Sequence, residues 1–131
     1  MTAQQPAMPI TSLIVDDSPH FFEAARQLLS DDGITVIGFA ANADEAVSAT
    51  LELRPDVALV DVDLGTESGF DVAERLAQLP QGGPPVVLIS AASGSELAEL
   101  VEASGALGFV SKTDLSGDAI RELLERGDSR R

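Results

Sequence analysis

Short, unbroken apolar runs alternate along this chain with stretches whose apolar residues recur at helical spacing. The runs are Leu13-Ile14-Val15, Thr35-Val36-Ile37, Val57-Ala58-Leu59-Val60, Val86-Val87-Leu88-Ile89 and Gly108-Phe109-Val110. They are rich in β-branched residues and lack polar alternation. A strand buried on both faces reads this way, which predicts a parallel sheet. Between the runs, Phe22, Ala25 and Leu29 share a helix face, as do Val72, Leu76 and Leu79, then Leu97, Leu100 and Val101, then Ala119, Ile120, Leu123 and Leu124. Start signals agree with this reading. Ser18 before Pro19 suits an N-cap with proline at the first helical position. Asn42 and Ser116 suit N-caps, and Ser93 with Glu96 suits a capping box. A helix over 43–53 must stop before Pro55, because proline disfavours helical geometry at Arg54. Five β-α units in succession predict a doubly wound α/β fold, a five-stranded parallel sheet with helices on both faces. One domain over 10–126 is expected, between polar tails at 1–9 and 127–131, and Pro80 to Pro85 is read as a loop.

Composition narrows the partners. Eight basic against 22 acidic residues give a net charge of −14. A nucleic-acid backbone or an anionic membrane needs a basic surface, so neither is expected as a direct partner. There are no cysteines, hence no disulfides and no thiolate metal site. Five Phe and no Tyr or Trp leave little for aromatic stacking on a base or sugar. No stretch approaches the roughly 18 apolar residues of a spanning helix, and residues 1–9 lack the basic and apolar regions of a signal peptide. A cytoplasmic location is expected.

In a doubly wound sheet, ligands sit at the carboxyl ends of the strands. Here those ends carry Asp16-Asp17, Asp61, Ser90 and Ser111-Lys112, while the second strand ends in Phe39-Ala40. Gathered at one edge, the carboxylates would repel by about 4 kcal/mol per pair at 4 Å and an effective dielectric near 20. Lys112, the only lysine in the chain, supplies one compensating charge. A divalent cation would supply two more. With only oxygen donors on offer, Mg²⁺ or Mn²⁺ fits better than Zn²⁺.

These residues resemble the receiver domain of two-component response regulators. The likeness rests on Asp16-Asp17 after an apolar strand, on "VALVD" ending in Asp61, on Ser90 closing "VVLIS", and on Lys112 after "GFVS". The intervals, 44 residues from Asp17 to Asp61, 29 more to Ser90 and 22 more to Lys112, agree with it. The resemblance implies a flavodoxin-like (βα)5 fold and a phosphorylation switch. Asp61 would accept a phosphoryl group from the phosphohistidine of a histidine kinase or phosphotransfer protein. Asp17 and Asp61 would ligate Mg²⁺, Asp16 would reach it through water, and the Asp63 backbone carbonyl would complete the protein ligands. Lys112 and Ser90 would each bind a phosphoryl oxygen. Phe109 would be the switch aromatic, turning inward as Ser90 moves. Residues from about 94 to 126 resemble receivers that precede helix-turn-helix output domains. The downstream partner would be a protein or an output domain beyond Arg131, and a homodimer through the face of the fourth and fifth helices is a further family arrangement.

Three departures stand out. Thr113 follows the lysine where the family usually has proline, which weighs against the customary cis peptide. Gly65 stands where proline is common, and Asp63 adds a fourth acid able to affect loss of the phosphoryl group to water. Blander readings exist for each residue. Asp16-Asp17 alone would be a solvated turn, Ser90 an ordinary strand-end hydroxyl, Phe109 a core side chain, and His20 an exposed first-turn residue that could meet a kinase. Three other functions share parts of this pattern. A pseudo-receiver keeps the fold without phosphorylation. A haloacid-dehalogenase-type phosphatase would use Asp61 and Asp63, but in that family D-x-D lies near the N-terminus. A flavodoxin-like FMN carrier would need a Ser/Thr/Gly phosphate cradle where this chain has Asp16-Asp17-Ser18-Pro19.

Overall fold

Strands that are apolar on both faces need a layer of helices on each side. The computed structural model, which describes residues 9–80, 82–91 and 98–129, has that arrangement. Strands β1 (Ile10–Val15), β2 (Ile34–Ala40), β3 (Val57–Asp61), β4 (Val86–Ser90) and β5 (Gly108–Ser111) form one parallel sheet in the order β2-β1-β3-β4-β5. Helices α1 (Pro19–Asp31), α2 (Ala43–Leu53), α3 (Gly69–Ala77), α4 (Ala98–Ala103) and α5 (Gly117–Ser129) connect or follow them. A short 3-10 turn over Lys112–Asp114 leaves β5.

The period-2 direction of strand side chains divides the core in two. Leu13, Val15, Ala58, Val60 and Leu88 point to the side covered by Ala46 of α2, Val72 and Leu76 of α3, and Val101 of α4. Ile14, Leu59, Val87 and Ile89 point to the side covered by Ala25 and Leu29 of α1 and Ile120 of α5. β3 and β4 are buried along their whole length, as continuous apolar runs predict. β2 and β5 depart from that expectation. Each has a sheet neighbour on one side only, and Thr35 and Phe39 on β2 are exposed.

The helix starts follow the sequence closely. Ser18 accepts a bond from the Phe21 amide at 3.2 Å with Pro19 opening α1, and Asn42 accepts from the Glu45 amide at 2.9 Å. The Ser116 hydroxyl accepts from the Ala119 amide at 3.0 Å. α2 stops at Leu53, and Arg54 leaves the helix in the left-handed region with φ of 50° before buried Pro55. The Ser93–Glu96 capping box and Leu97 lie outside the described residues. Leu100, expected on the buried face of its helix with Val101, is instead half exposed. α4 is one and a half turns long, and only Val101 of that pair reaches the core. α5 continues through Gly127 to Ser129.

Two close approaches fix how helices meet the sheet. The N-terminus of α5 is tied to the turn after α1. The Asp32 carboxylate accepts from the Gly117 amide at 2.8 Å, and the Arg121 guanidinium donates to the Asp32 carbonyl. At the start of α3, Gly69 lies so near the end of β3 that a Cβ would collide with the Asp61 carbonyl oxygen. We expect Gly69→Ala to lower stability by about 1–3 kcal/mol, the range for overpacking against rigid backbone. Urea denaturation at constant m-value measures it, and an unchanged midpoint would contradict the close approach.

Candidate functional site

Strand register, not sequence proximity, assembles the site. Val15 pairs with Val60, so Asp16 and Asp61 leave the sheet side by side. Asp61 pairs with Ile89 and Ser90 with Ser111, which brings the ends of β4 and β5 to the same edge. An open cavity of about 410 Å³ at this edge is lined by Asp16, Asp17, Asp61, Asp63, Ser90 and Lys112 among others.

Carboxylate oxygens of Asp16, Asp17 and Asp61 lie within 4.8 Å of one another. Asp16 and Asp61 are buried and Asp17 is exposed. One oxygen of each buried acid is held by a local amide. Asp16 Oδ1 accepts from the Ser18 amide at 2.8 Å, and Asp61 Oδ1 accepts from the Asp63 amide at 3.1 Å. The other oxygens turn to Lys112. Its Nζ is 2.9 Å from Asp16 Oδ2 and 3.2 Å from Asp61 Oδ2. Asp16 Oδ2 is fully buried and receives no well-aligned hydrogen bond, so the ammonium offsets its charge without satisfying it.

The electrostatics follow from that geometry. Burial pushes the Asp61 carboxyl above its ordinary range, opposed by the Asp63 amide, reinforced by the Asp16 charge, and opposed again by Lys112. Burial alone would lower the Lys112 ammonium, but its short ion pair with Asp16 and the charge and hydrogen bond it shares with Asp61 outweigh it and hold the group above its ordinary value. One lysine therefore does not neutralise the cluster. A buried, unsatisfied carboxylate oxygen facing two further carboxylates, with oxygen donors alone, fits a hard divalent cation such as Mg²⁺.

Some parts of the site were not expected from sequence. Lys112 Nζ lies 4.2 Å from the centre of the Phe21 ring, a cation–π contact that steadies the ammonium from the α1 side. Phe21 reads in sequence as one more apolar residue of a helix. Gly65 has φ of 79°, and a Cβ there would stand 3.3 Å from Asp17 Oδ2. The glycine thus leaves the exposed acid room. Asp63 is exposed, and its carboxylate accepts from the Gly65 amide at 3.1 Å, closing the loop after β3. Ser90 is buried at the cavity wall. Phe109 is partly buried, packs against the α2-α3-α4 side of the core, and does not line this cavity. His20 is exposed on the first turn of α1. No peptide bond among the described residues is cis, in keeping with Thr113 after Lys112.

The model of the response regulator receiver domain family matches residues 12–125. The chain belongs to the receiver-domain family. This receiver is 40% identical over 108 residues to a protein-glutamate methylesterase/protein-glutamine glutaminase of Syntrophomonas wolfei, covering 82% of the chain and 30% of that protein. It is 33% identical over 120 residues to the transcriptional regulatory protein YvfU of Bacillus subtilis, covering 88% of the chain and 60% of the relative. The receiver thus spans less than two thirds of either relative. Among solved structures it superposes with a TM-score of 0.79 and 25% identity on a LuxR-family two-component response regulator from Aurantimonas, covering 94% of this chain and 87% of that one. The response regulator domain of Thermotoga maritima CheB gives 0.70 and 25% identity, covering 90% and 92%. Among the described residues no helix of this receiver is long and apolar enough to cross a membrane.

Because folding raises the Asp61 pKa, that group's contribution is favourable below its unfolded-state pKa and is lost as pH rises through the folded value. In metal-free buffer at neutral pH, Asp61→Asn should therefore raise Tm by a few degrees. The gap should close as pH falls and Asp61 takes up its proton. Thermal melts with a chelator across that range check both statements, and an Asn variant that melts lower throughout would refute them.

Proposed function

We propose that this receiver is a phosphorylation switch with Asp61 as the acceptor. The observation that carries the reading is a buried carboxylate at a strand end, facing an open cavity, with an ammonium on one of its oxygens. Phosphoryl transfer asks a site for positioning and charge neutralisation more than for covalent machinery. An Asp61 carboxylate oxygen attacks the phosphorus of a phosphohistidine on a histidine kinase or phosphotransfer protein. The P–N bond breaks, the imidazole leaves and takes a proton, and an acyl phosphate forms. Asp17 and Asp61, with the Asp63 carbonyl, would hold Mg²⁺ directly and Asp16 through water. Bound there, the ion supplies positive charge to the phosphoryl oxygens and the carboxylates.

Lys112 has a second task. It sits between Asp16 and Asp61, so when Asp61 is phosphorylated it can turn from Asp61 Oδ2 to a phosphoryl oxygen while keeping Asp16. Ser90, at the end of β4 on the cavity wall, donates to another phosphoryl oxygen. Its displacement makes room for Phe109 to turn inward and reshapes the α4-β5-α5 face read by a partner or an output domain. The family membership and the oxygen-only cluster support these roles, and the curated relatives, which are longer, include a regulator and a methylesterase.

Incubation with Mg²⁺ and acetyl phosphate should add one phosphoryl group by intact mass. It should be labile as acyl phosphates are and missing from Asp61→Asn. No gain with any donor would favour a non-phosphorylated binding module. Lys112→Ala should still fold and take up some label, but it should not show the phosphorylation-dependent amide shifts over α4, β5 and α5. Normal shifts in that variant would remove the lysine from the switch.

A further inference from the structure

The opposite end of the sheet carries a second cavity. It lies between the C-terminus of α2 and the loop that enters β4, and has a volume of about 390 Å³. That is within the range of small-molecule sites, about 300–1,000 Å³. Its walls are mainly apolar, formed by Leu51, Pro55, Leu79 and Pro84. Leu51 is 56% exposed, an apolar side chain left in water at the mouth.

Two polar groups converge on it. Thr50 is 5% exposed and its Oγ1 has no hydrogen-bond partner. A helical threonine commonly returns its hydroxyl to the carbonyl one turn back, and this one does not. A buried hydroxyl left unpaired is costly, and a ligand acceptor would recover that cost. The second group is Arg54. Each of the other described cations faces a carboxylate: Arg26 meets Glu23, Arg75 Asp44, Lys112 Asp16 and Asp61, Arg121 Asp118, and Arg126 Glu122. Arg54 faces none, in a chain of net charge −14. Its backbone is also held in the left-handed region, φ 50°, unusual for a residue other than Gly, Asn or Asp.

We propose that this cavity binds a small amphipathic monocarboxylate, its apolar body between Leu51, Pro55, Leu79 and Pro84 and its carboxylate on the Arg54 guanidinium and the Thr50 hydroxyl. The site is separate from the acidic edge and does not depend on phosphorylation. The charge decides the ligand class. An overall negative chain repels anions, so one uncompensated cation beside an unpaired buried donor selects for a carboxylate held locally.

The test uses 1-naphthoate and its neutral counterpart 1-naphthamide as probes, followed by backbone amide shifts in NMR titration. The acid should shift the amides of Leu51 and Arg54 saturably, and the amide should bind about fivefold more weakly, the value of one exposed ion pair. Arg54→Gln should bring the acid to the affinity of the amide, and Thr50→Val should weaken both probes. Absence of shifts at Leu51 and Arg54 with millimolar acid would overturn the proposal, as would equal binding of the two probes. The probe comparison is made on the unaltered protein, so it decides even if a variant folds poorly.

Discussion

Two buried carboxylates set side by side at the ends of neighbouring strands, with one ammonium between them, are the constraint around which this receiver is organised. The parallel register of β1 and β3 leaves no choice about their adjacency. Everything nearby answers the charge it creates. Local amides hold one oxygen of each acid, Lys112 spans the other two, and Phe21 supports the lysine from below. These contacts compensate in part. The raised Asp61 carboxyl and the unsatisfied Asp16 oxygen show what is left over. A buried charge cluster of this kind is poor evidence of stability and better evidence of chemistry.

Much of the fold was legible because its signals are local. Unbroken β-branched runs named the strands, and Ser18-Pro19, Asn42, Ser116 and Pro55 set helix limits that the structure keeps. The reading weakened where tertiary position decides burial. Nothing local says that β2 and β5 are the edges of the sheet, nor that Leu100 on a short helix turns to water while Val101 turns to the core. Sheet order is a property of the whole chain.

The candidate site divides in the same way. Its acids and its lysine could be found because a strand end is a fixed address in a doubly wound fold and because only one lysine was available. Phe21, Gly65 and Gly69 could not. Their importance lies in what approaches them across the fold, a cation, a carboxylate and a backbone carbonyl, and none of these is visible in the residue itself.

Chain order gives the Lys112 contact one further meaning. The ammonium joins Asp61 across 51 residues, and it arrives only with the last strand. A chain with β1, β3 and β4 assembled but β5 undocked would already hold Asp16 beside Asp61, with no counter-charge between them. Long-range pairing of this sort is slow, since loop closure must precede its reward. The docking of β5 therefore completes the sheet and relieves the acids in one event, so the electrostatic cost of the site becomes a driving force for its own closure.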